Sequence, residues 1–307
     1  MTRILLYSKG LALAILLSFF LGACSLKDAN PTSAPVTPSL ENSITSGPVN
    51  SPTPFQPSPT PAPLAALVNG SGITLEEYQA ELARYQAAVG TDVATQDKTH
   101  VLDDLIDQEL LAQAAAEKGF VVGDKLVQQH IDQLSAELGS TQALSNWMAA
   151  HGYVEADFRR DLARSIAATW MGDQITSAVP ETADQVHARQ ILVSTSAQAQ
   201  DILTQLKSGQ DFAQLAAKEN PATGGDLGWF PRGYLPDRNL EEAAFSLQPG
   251  QFSDVIETGT GFHILQVIER DPQRTLAQDA RLTLQTQALQ SWLEDRRKQS
   301  EIQILLP

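Results

Sequence analysis

Ten of the chain's seventeen prolines fall between residues 28 and 63, mixed with Ser, Thr and Asn and with few large apolar side chains. A segment of that composition cannot bury enough surface to offset the entropy lost on ordering its backbone, so a disordered linker is expected. At about 3.1 Å per residue, its 36 residues would span roughly 100 Å if they adopted the polyproline conformation. Folding is therefore expected from about Leu64 onward. With 307 residues, 42% of them apolar and 19% charged, the chain is long enough for about two folded units at roughly 150 residues each.

Charge narrows the partners. The formal net charge is -15, and residues 64 to 183 carry 18 acidic and 7 basic side chains, residues 184 to 271 carry 12 and 6. Binding to phosphate backbones needs a basic face, so no nucleic-acid role is expected. The single Cys excludes an internal disulfide and a thiolate zinc site. The five His, at 100, 130, 151, 187 and 263, include no pair four residues apart, the spacing that sets two ligands on one helical face. Neither a metal nor a cofactor is expected.

Before the proline-rich segment, Arg3 and Lys9 precede an apolar run from Leu11 to Ala23 that only Ser18 breaks. Thirteen residues are too few for the roughly 20 that span a bilayer, which fits a cleaved export signal over residues 1–23. Leu21-Gly22-Ala23-Cys24 resembles a bacterial lipobox, which implies that Cys24 becomes the lipidated first residue of the mature chain. The alternative is an ordinary signal in which Cys24 is incidental. Residues 24–63 then form a tether and spacer outside the cytoplasm.

The folded part divides near residue 183, where the apolar period changes. Ala66 to Val68 reads as a short strand, Asn69-Gly70 as a turn, and Thr74-Leu-Glu-Glu77 as a capping box that starts a helix. Helical stripes follow at Val101 to Leu111, Val127 to Leu138, Leu144 to Met148 and Phe158 to Trp170. These stripes read as core, and part of one is a candidate cradle for unfolded client chains. From Val186 the pattern is strand, two helices near 197–207 and 212–219, a glycine-punctuated strand at 224–233, a helix at 240–247 and a hairpin at 252–270. That order makes a compact α+β unit. Residues 272–307 add a helix and a final strand-like run, expected to pack back on the helical part, with the strand near Leu67 as a candidate partner for the run.

Three ordered blocks carry a resemblance: Gly224-Gly-Asp-Leu-Gly-Trp-Phe-Pro-Arg-Gly233, Leu240-Glu-Glu-Ala-Ala-Phe-Ser-Leu-Gln-Pro-Gly-Gln251 and Gly261-Phe-His-Ile-Leu265. Residues 184–271 resemble parvulin-type (PpiC, rotamase) peptidyl-prolyl isomerases, and residues 64–183 are similar to the chaperone domain of SurA/PrsA-type foldases. The resemblance implies an α+β architecture: an all-helical SurA-N-like domain completed by the C-terminal helix, plus a parvulin-like domain with a four-stranded antiparallel sheet and surrounding helices. It also implies a proline pocket at Leu227, Leu235 and Leu240 with Phe262 beside it, a histidine at His263, and partner hydroxyls at Thr258 and Thr260.

Two positions depart from the family pattern. Gln190, in Ala188-Arg-Gln-Ile-Leu-Val193, stands where the first histidine belongs. Its amide can still donate and accept hydrogen bonds. His187 is no substitute, because an odd step along a strand reverses the facing side. The loop Lys218-Glu-Asn-Pro-Ala-Thr223 is several residues shorter than usual, and Asn220 is the nearest candidate for the residue facing the substrate amide. Without a Lys/Arg cluster at the mouth, no selection for phosphorylated residues before proline is expected.

The resemblance implies an isomerase and foldase for unfolded or nascent secreted polypeptides containing Xaa-Pro, held at the bacterial membrane by lipidated Cys24. Gln190 and the shortened loop keep open a catalytically weak holdase. An envelope scaffold is the third class.

Overall fold

The computed structural model describes residues 62–90 and 95–306. The expected export signal, Cys24 and nearly all of the proline-rich spacer lie outside the described residues. Two compact units interleave along the chain, one holding residues up to Ile106, Gln128–Glu155 and Gln303–Pro307, the other Asp107–Val127 and Ala156–Ile302.

In the first unit, β1 (Leu64–Val68) and β2 (Ser71–Thr74) form a hairpin across Asn69-Gly70, with Val68 opposite Ser71. Thr74 then caps α1 (Leu75–Val89): its hydroxyl accepts the Glu77 backbone N–H at 3.1 Å. The rest of this unit draws on α2 (Thr95–Glu117), α3 (Asp124–Glu137) and α4 (Thr141–Ala150), and Val101, Leu102, Leu105, Leu134 and Leu144 are buried. A third strand, β7 (Ile302–Ile304), completes a sheet of order β2-β1-β7, and the Leu305 N–H donates to the Ala65 carbonyl at 2.8 Å. The mainly helical part thus carries a small sheet, in which the final run pairs with the strand near Leu67 as expected. Its first strand needs main-chain partners that only the distant C-terminus supplies on the second edge.

The second unit contains a helical layer and an α+β layer. Leu111, Ala114 and Ala115 of α2 meet Ala167, Ala168 and Met171 of α5 (Glu155–Ser177). Leu289, Trp292 and Leu293 of α9 (Gln278–Gln299) pack on that cluster, where Phe120 also stacks on Trp170 with ring centroids 4.6 Å apart. The side chains that α2 and α5 contribute here are mostly alanines, which leaves room for Leu289, Trp292 and Leu293 to pack against them.

The α+β layer is a four-stranded antiparallel sheet of order β4-β3-β6-β5, built from β3 (Thr182–Val193), β4 (Asp226–Pro231), β5 (Ile256–Thr258) and β6 (Gly261–Thr275). One face carries α6 (Ser196–Lys207) and α7 (Phe212–Glu219), which bury Ile202, Leu203, Leu206, Phe212 and Leu215 against Ile191, Val193 and Ile264. The opposite face carries α8 (Arg238–Ser246), whose Leu240, Ala244 and Phe245 cover Val186, Ala188, Leu265 and Val267. Strand alternation assigns each residue of β3 and β6 to one face or the other.

The central ladder is longer than the apolar pattern indicates, pairing Thr182 with Thr275 beyond the hydrophobic stretch. Polar side chains hold that extension: buried Gln185 donates to the carbonyls of Arg274 (2.8 Å) and Thr275 (3.2 Å), and Arg270 forks onto Asp184. Among the described residues no helix is long and apolar enough to cross a membrane.

Phe230 anchors the α8 face: it is 0% exposed and meets Phe245 edge to face at 6.2 Å. Replacing Phe230 by Ala should cost about 3–5 kcal/mol, because the cavity cannot collapse between a sheet and a helix. Urea denaturation followed by fluorescence will show the lower midpoint; an unchanged midpoint would mean that this side chain is not core.

Candidate active site

At one end of the α8 face the apolar surface gives way to a polar group built by two strands and a turn. Leu192 of β3 stands opposite His263 of β6, and Gln190 opposite Leu265, so Gln190 and His263 are diagonal neighbours on one face. Diagonal neighbours are within reach for long side chains. The His263 Nδ1 lies 2.7 Å from Gln190 Oε1. An amide oxygen only accepts, so Nδ1 carries the proton and Nε2 is left as an acceptor.

On the other side of the ring, Thr258 Oγ1 is 2.9 Å and Thr260 Oγ1 3.2 Å from Nε2, and the two hydroxyls are 2.9 Å apart. The Thr260 backbone N–H also donates to Thr258 Oγ1 at 3.1 Å. With Nδ1–H donated to Gln190, Nε2 accepts from a threonine hydroxyl, and both hydroxyls are within reach; Thr258 Oγ1 also lies 3.3 Å from the Gly261 carbonyl. Ile256 pairs with His263 and Thr258 with Gly261, so the short β5 hairpin brings both hydroxyls to the ring.

His263 is only 3% exposed. Burial lowers its pKa below the ordinary histidine range, and the charge of Asp237 partly offsets that. Asp237 caps α8, accepting the N–H groups of Asn239 (2.9 Å) and Leu240 (3.1 Å). A neutral imidazole with a fixed tautomer is a hydrogen-bonding post rather than a charge.

Beside this group, Leu227 and Leu235 pack with buried Leu240 in one apolar cluster on the same face. Phe262 does not join them. It packs with Val193, Ile264 and the α6/α7 residues on the opposite face, because one step along β6 from His263 reverses the direction of the side chain. Asn220 is also elsewhere. It ends α7, its N–H donating to the Ala216 carbonyl (2.8 Å), its side-chain oxygen accepting the Thr223 N–H (3.4 Å) and its carbonyl the Gly224 N–H (2.8 Å). The short loop spends Asn220 on its own turn.

That loop reaches the site through its main chain instead. The Gln190 N–H donates to the Gly225 carbonyl at 2.8 Å. Gly225 has φ +74°, and a Cβ there would lie 1.9 Å from the Gln190 carbonyl oxygen, so only glycine permits the approach. His187 faces away, bonded to Asp226 at 2.9 Å and stacked on Trp229. Two contributors escaped sequence reasoning, Asp237 and Glu241. Glu241 accepts the N–H groups of Gly233, Tyr234 and Leu235 at 2.7, 3.1 and 3.4 Å. The helix-start pattern at Asp237 was the available signal for the first; nothing local marks the second.

This sheet order, the helices on its two faces and the histidine-centred group at the edge of an apolar patch define a rotamase domain of the parvulin class. A family model described as a PPIC-type PPIASE domain matches residues 178–269, and one described as a SurA-like N-terminal domain matches residues 49–171. The foldase protein PrsA of Geobacillus sp. (strain WCH70) is 28% identical over 246 residues, 76% of this chain and 82% of that protein. The foldase protein PrsA of Caldanaerobacter subterraneus subsp. tengcongensis is 30% identical over 227 residues, 66% of this chain and 72% of the relative. A crystal structure of peptidylprolyl isomerase (PrsA) from Bacillus anthracis is 23% identical and covers 64% of this chain and 96% of that one, at a TM-score of 0.42. This chain belongs to the PrsA family of foldases.

The lowered pKa of His263 sets a pH dependence of stability. An unfolded histidine titrates near 6.5, so below that pH the unfolded chain takes up a proton that the folded chain resists. The stabilisation is full above about pH 6.5 and is lost as pH falls toward the lower folded value. Urea midpoints measured from about pH 7.5 to about pH 5 should decline more steeply for the wild type than for His263→Asn. Parallel curves would place the ring in solvent.

Proposed function

We infer that this chain is a peptidyl-prolyl cis-trans isomerase and foldase that acts on unfolded polypeptides outside the cytoplasm. The observation that carries the reading is the neutral His263, fixed by Gln190 and Thr258, standing beside the apolar cluster of Leu227, Leu235 and Leu240.

The reaction makes and breaks no bond. An Xaa-Pro amide must rotate over a barrier of about 18–20 kcal/mol, which takes tens of seconds or more unaided. Half-way round, the amide loses its resonance, and its nitrogen becomes a better acceptor than in either planar isomer. An apolar pocket for the proline ring and a few oriented dipoles therefore suffice. Leu227, Leu235 and Leu240 supply the pocket, and the hydrogen-bonded group of Thr258, Thr260, His263 and Gln190 supplies oriented polarity with no charge to neutralise.

The export signal supports delivery outside the cytoplasm, and the lipobox-like Leu21 to Cys24 supports a tether through lipidated Cys24. Clients are unfolded or nascent secreted chains containing Xaa-Pro. The SurA-like part holds them while the rotamase domain works on their prolines. Gln190 in the place of a histidine favours one second reading, a holdase whose isomerase site has lost most of its rate.

A protease-coupled assay on the full chain with an Xaa-Pro peptide separates the two. The wild type should exceed the spontaneous rate at least tenfold. Leu240→Ala should lower kcat/KM about tenfold, equivalent to about 1.4 kcal/mol of lost transition-state binding. If the wild type merely matches the spontaneous rate and Gln190→His restores turnover, the holdase reading stands and the enzyme reading fails.

A further inference from the structure

The loop from Arg232 to Asp237 carries Leu235, one wall of the proposed pocket, yet it has no regular structure of its own. It is pinned from two sides. From α8, the Glu241 carboxylate gathers three consecutive N–H groups at 233, 234 and 235. From α9, outside the sheet, the Tyr234 hydroxyl donates to Asp279 Oδ2 at 2.8 Å and Gln287 Nε2 donates to the Gly233 carbonyl. Gly233 has φ +84°, and a Cβ there would lie 2.7 Å from Gln287 Oε1 and 3.1 Å from Leu284 Cδ2. The helix and the loop are therefore in close contact along two turns of α9.

We propose that α9 positions the prolyl pocket: Asp279 through Tyr234, and Gln287 through Gly233, are positioning residues that hold Leu235 at the depth the proline ring requires. The proposal rests on the isomerase reading above. The physical reason is that a pocket wall on an irregular loop is defined only as well as the loop is, and displacements near 1 Å are enough to cost binding or rate. The same helix is held elsewhere by Leu289, Trp292 and Leu293 in the α2/α5 cluster, so it braces the loop from a packed layer. The Tyr234–Asp279 hydrogen bond raises the pKa of Tyr234 and lowers that of Asp279.

The test uses the full chain and two readouts, peptide isomerisation and amide hydrogen exchange at residues 233–235. Tyr234→Phe and Asp279→Ala should each raise KM about three- to tenfold with kcat within about twofold, since the proline ring is held in ground and transition states alike. They should also speed exchange at 233–235 while β3 and β6 keep their protection. The double variant should be no worse than either single one, as expected for one shared contact. Asp279→Asn keeps an acceptor oxygen and should stay near the wild type, whereas a role for the charge alone would make it resemble Asp279→Ala. An active wild type with unchanged KM and exchange in Tyr234→Phe and Asp279→Ala overturns the proposal. A wild type without turnover sinks the isomerase reading instead, and exchange at 233–235 then decides the brace by itself.

Discussion

The antiparallel ladder between β3 and β6 runs from Thr182 opposite Thr275 to Val193 opposite Phe262, and the register it adopts after the bulge at His187/Ala188 creates the site. In that register Gln190 and His263 share a face with Val186, Ala188, Leu265 and Val267. A slip of one residue would turn His263 toward the α6/α7 core and expose Phe262 where a neutral imidazole now stands. Register is costly to change here because both faces are covered, one by α6 and α7 and the other by α8.

The two departures from the family pattern meet at one residue. The side-chain oxygen of Gln190 accepts the hydrogen bond of His263 Nδ1–H, and its backbone N–H donates to the carbonyl of Gly225, the residue to which the 218–223 loop leads. A loop that follows a helix ending at Asn220 brings main chain, rather than a side chain, up to the strand. The amide contributes a direction: with an acceptor-only oxygen on Nδ1, the imidazole cannot exchange tautomers without losing a hydrogen bond. Rigidity at the imidazole and an apolar surface beside it suit a reaction whose only requirement is to favour a twisted amide.

The rotamase domain is also tied to its C-terminal helix. Tyr234 and Gly233 contact α9 next to the pocket wall, and farther along the same helix Leu289, Trp292 and Leu293 enter the α2/α5 cluster. The chain thus uses one 22-residue helix both to close a helical layer and to back the loop that carries Leu235. Membership in the PrsA family accounts for the pairing of a SurA-like part with a rotamase domain, while these contacts are read from this chain itself.

Short-range chemistry was open to reading from the residues alone. The Thr74 cap, the Asn69-Gly70 turn, the helical stripes and the strand alternation each follow from neighbours a few positions apart, and the Gly261 to Leu265 block located His263 by resemblance. The polar ends of the β3/β6 ladder escaped because Gln185 and Asp184 stabilise them through partners almost ninety residues away. The resemblance set Phe262 beside the pocket, and strand geometry puts it on the other face. Asn220 was chosen by position, and its hydrogen bonds close a turn. The amino-acid order alone determined where the helices and the apolar stretches of the strands lie and which residue types the site contains, since propensity, capping and periodicity act locally. Register, the path of the 218–225 loop and the contacts of Glu241, Asp279 and Gln287 were decided by tertiary structure, because each depends on which distant backbone group arrives to accept or donate a hydrogen bond.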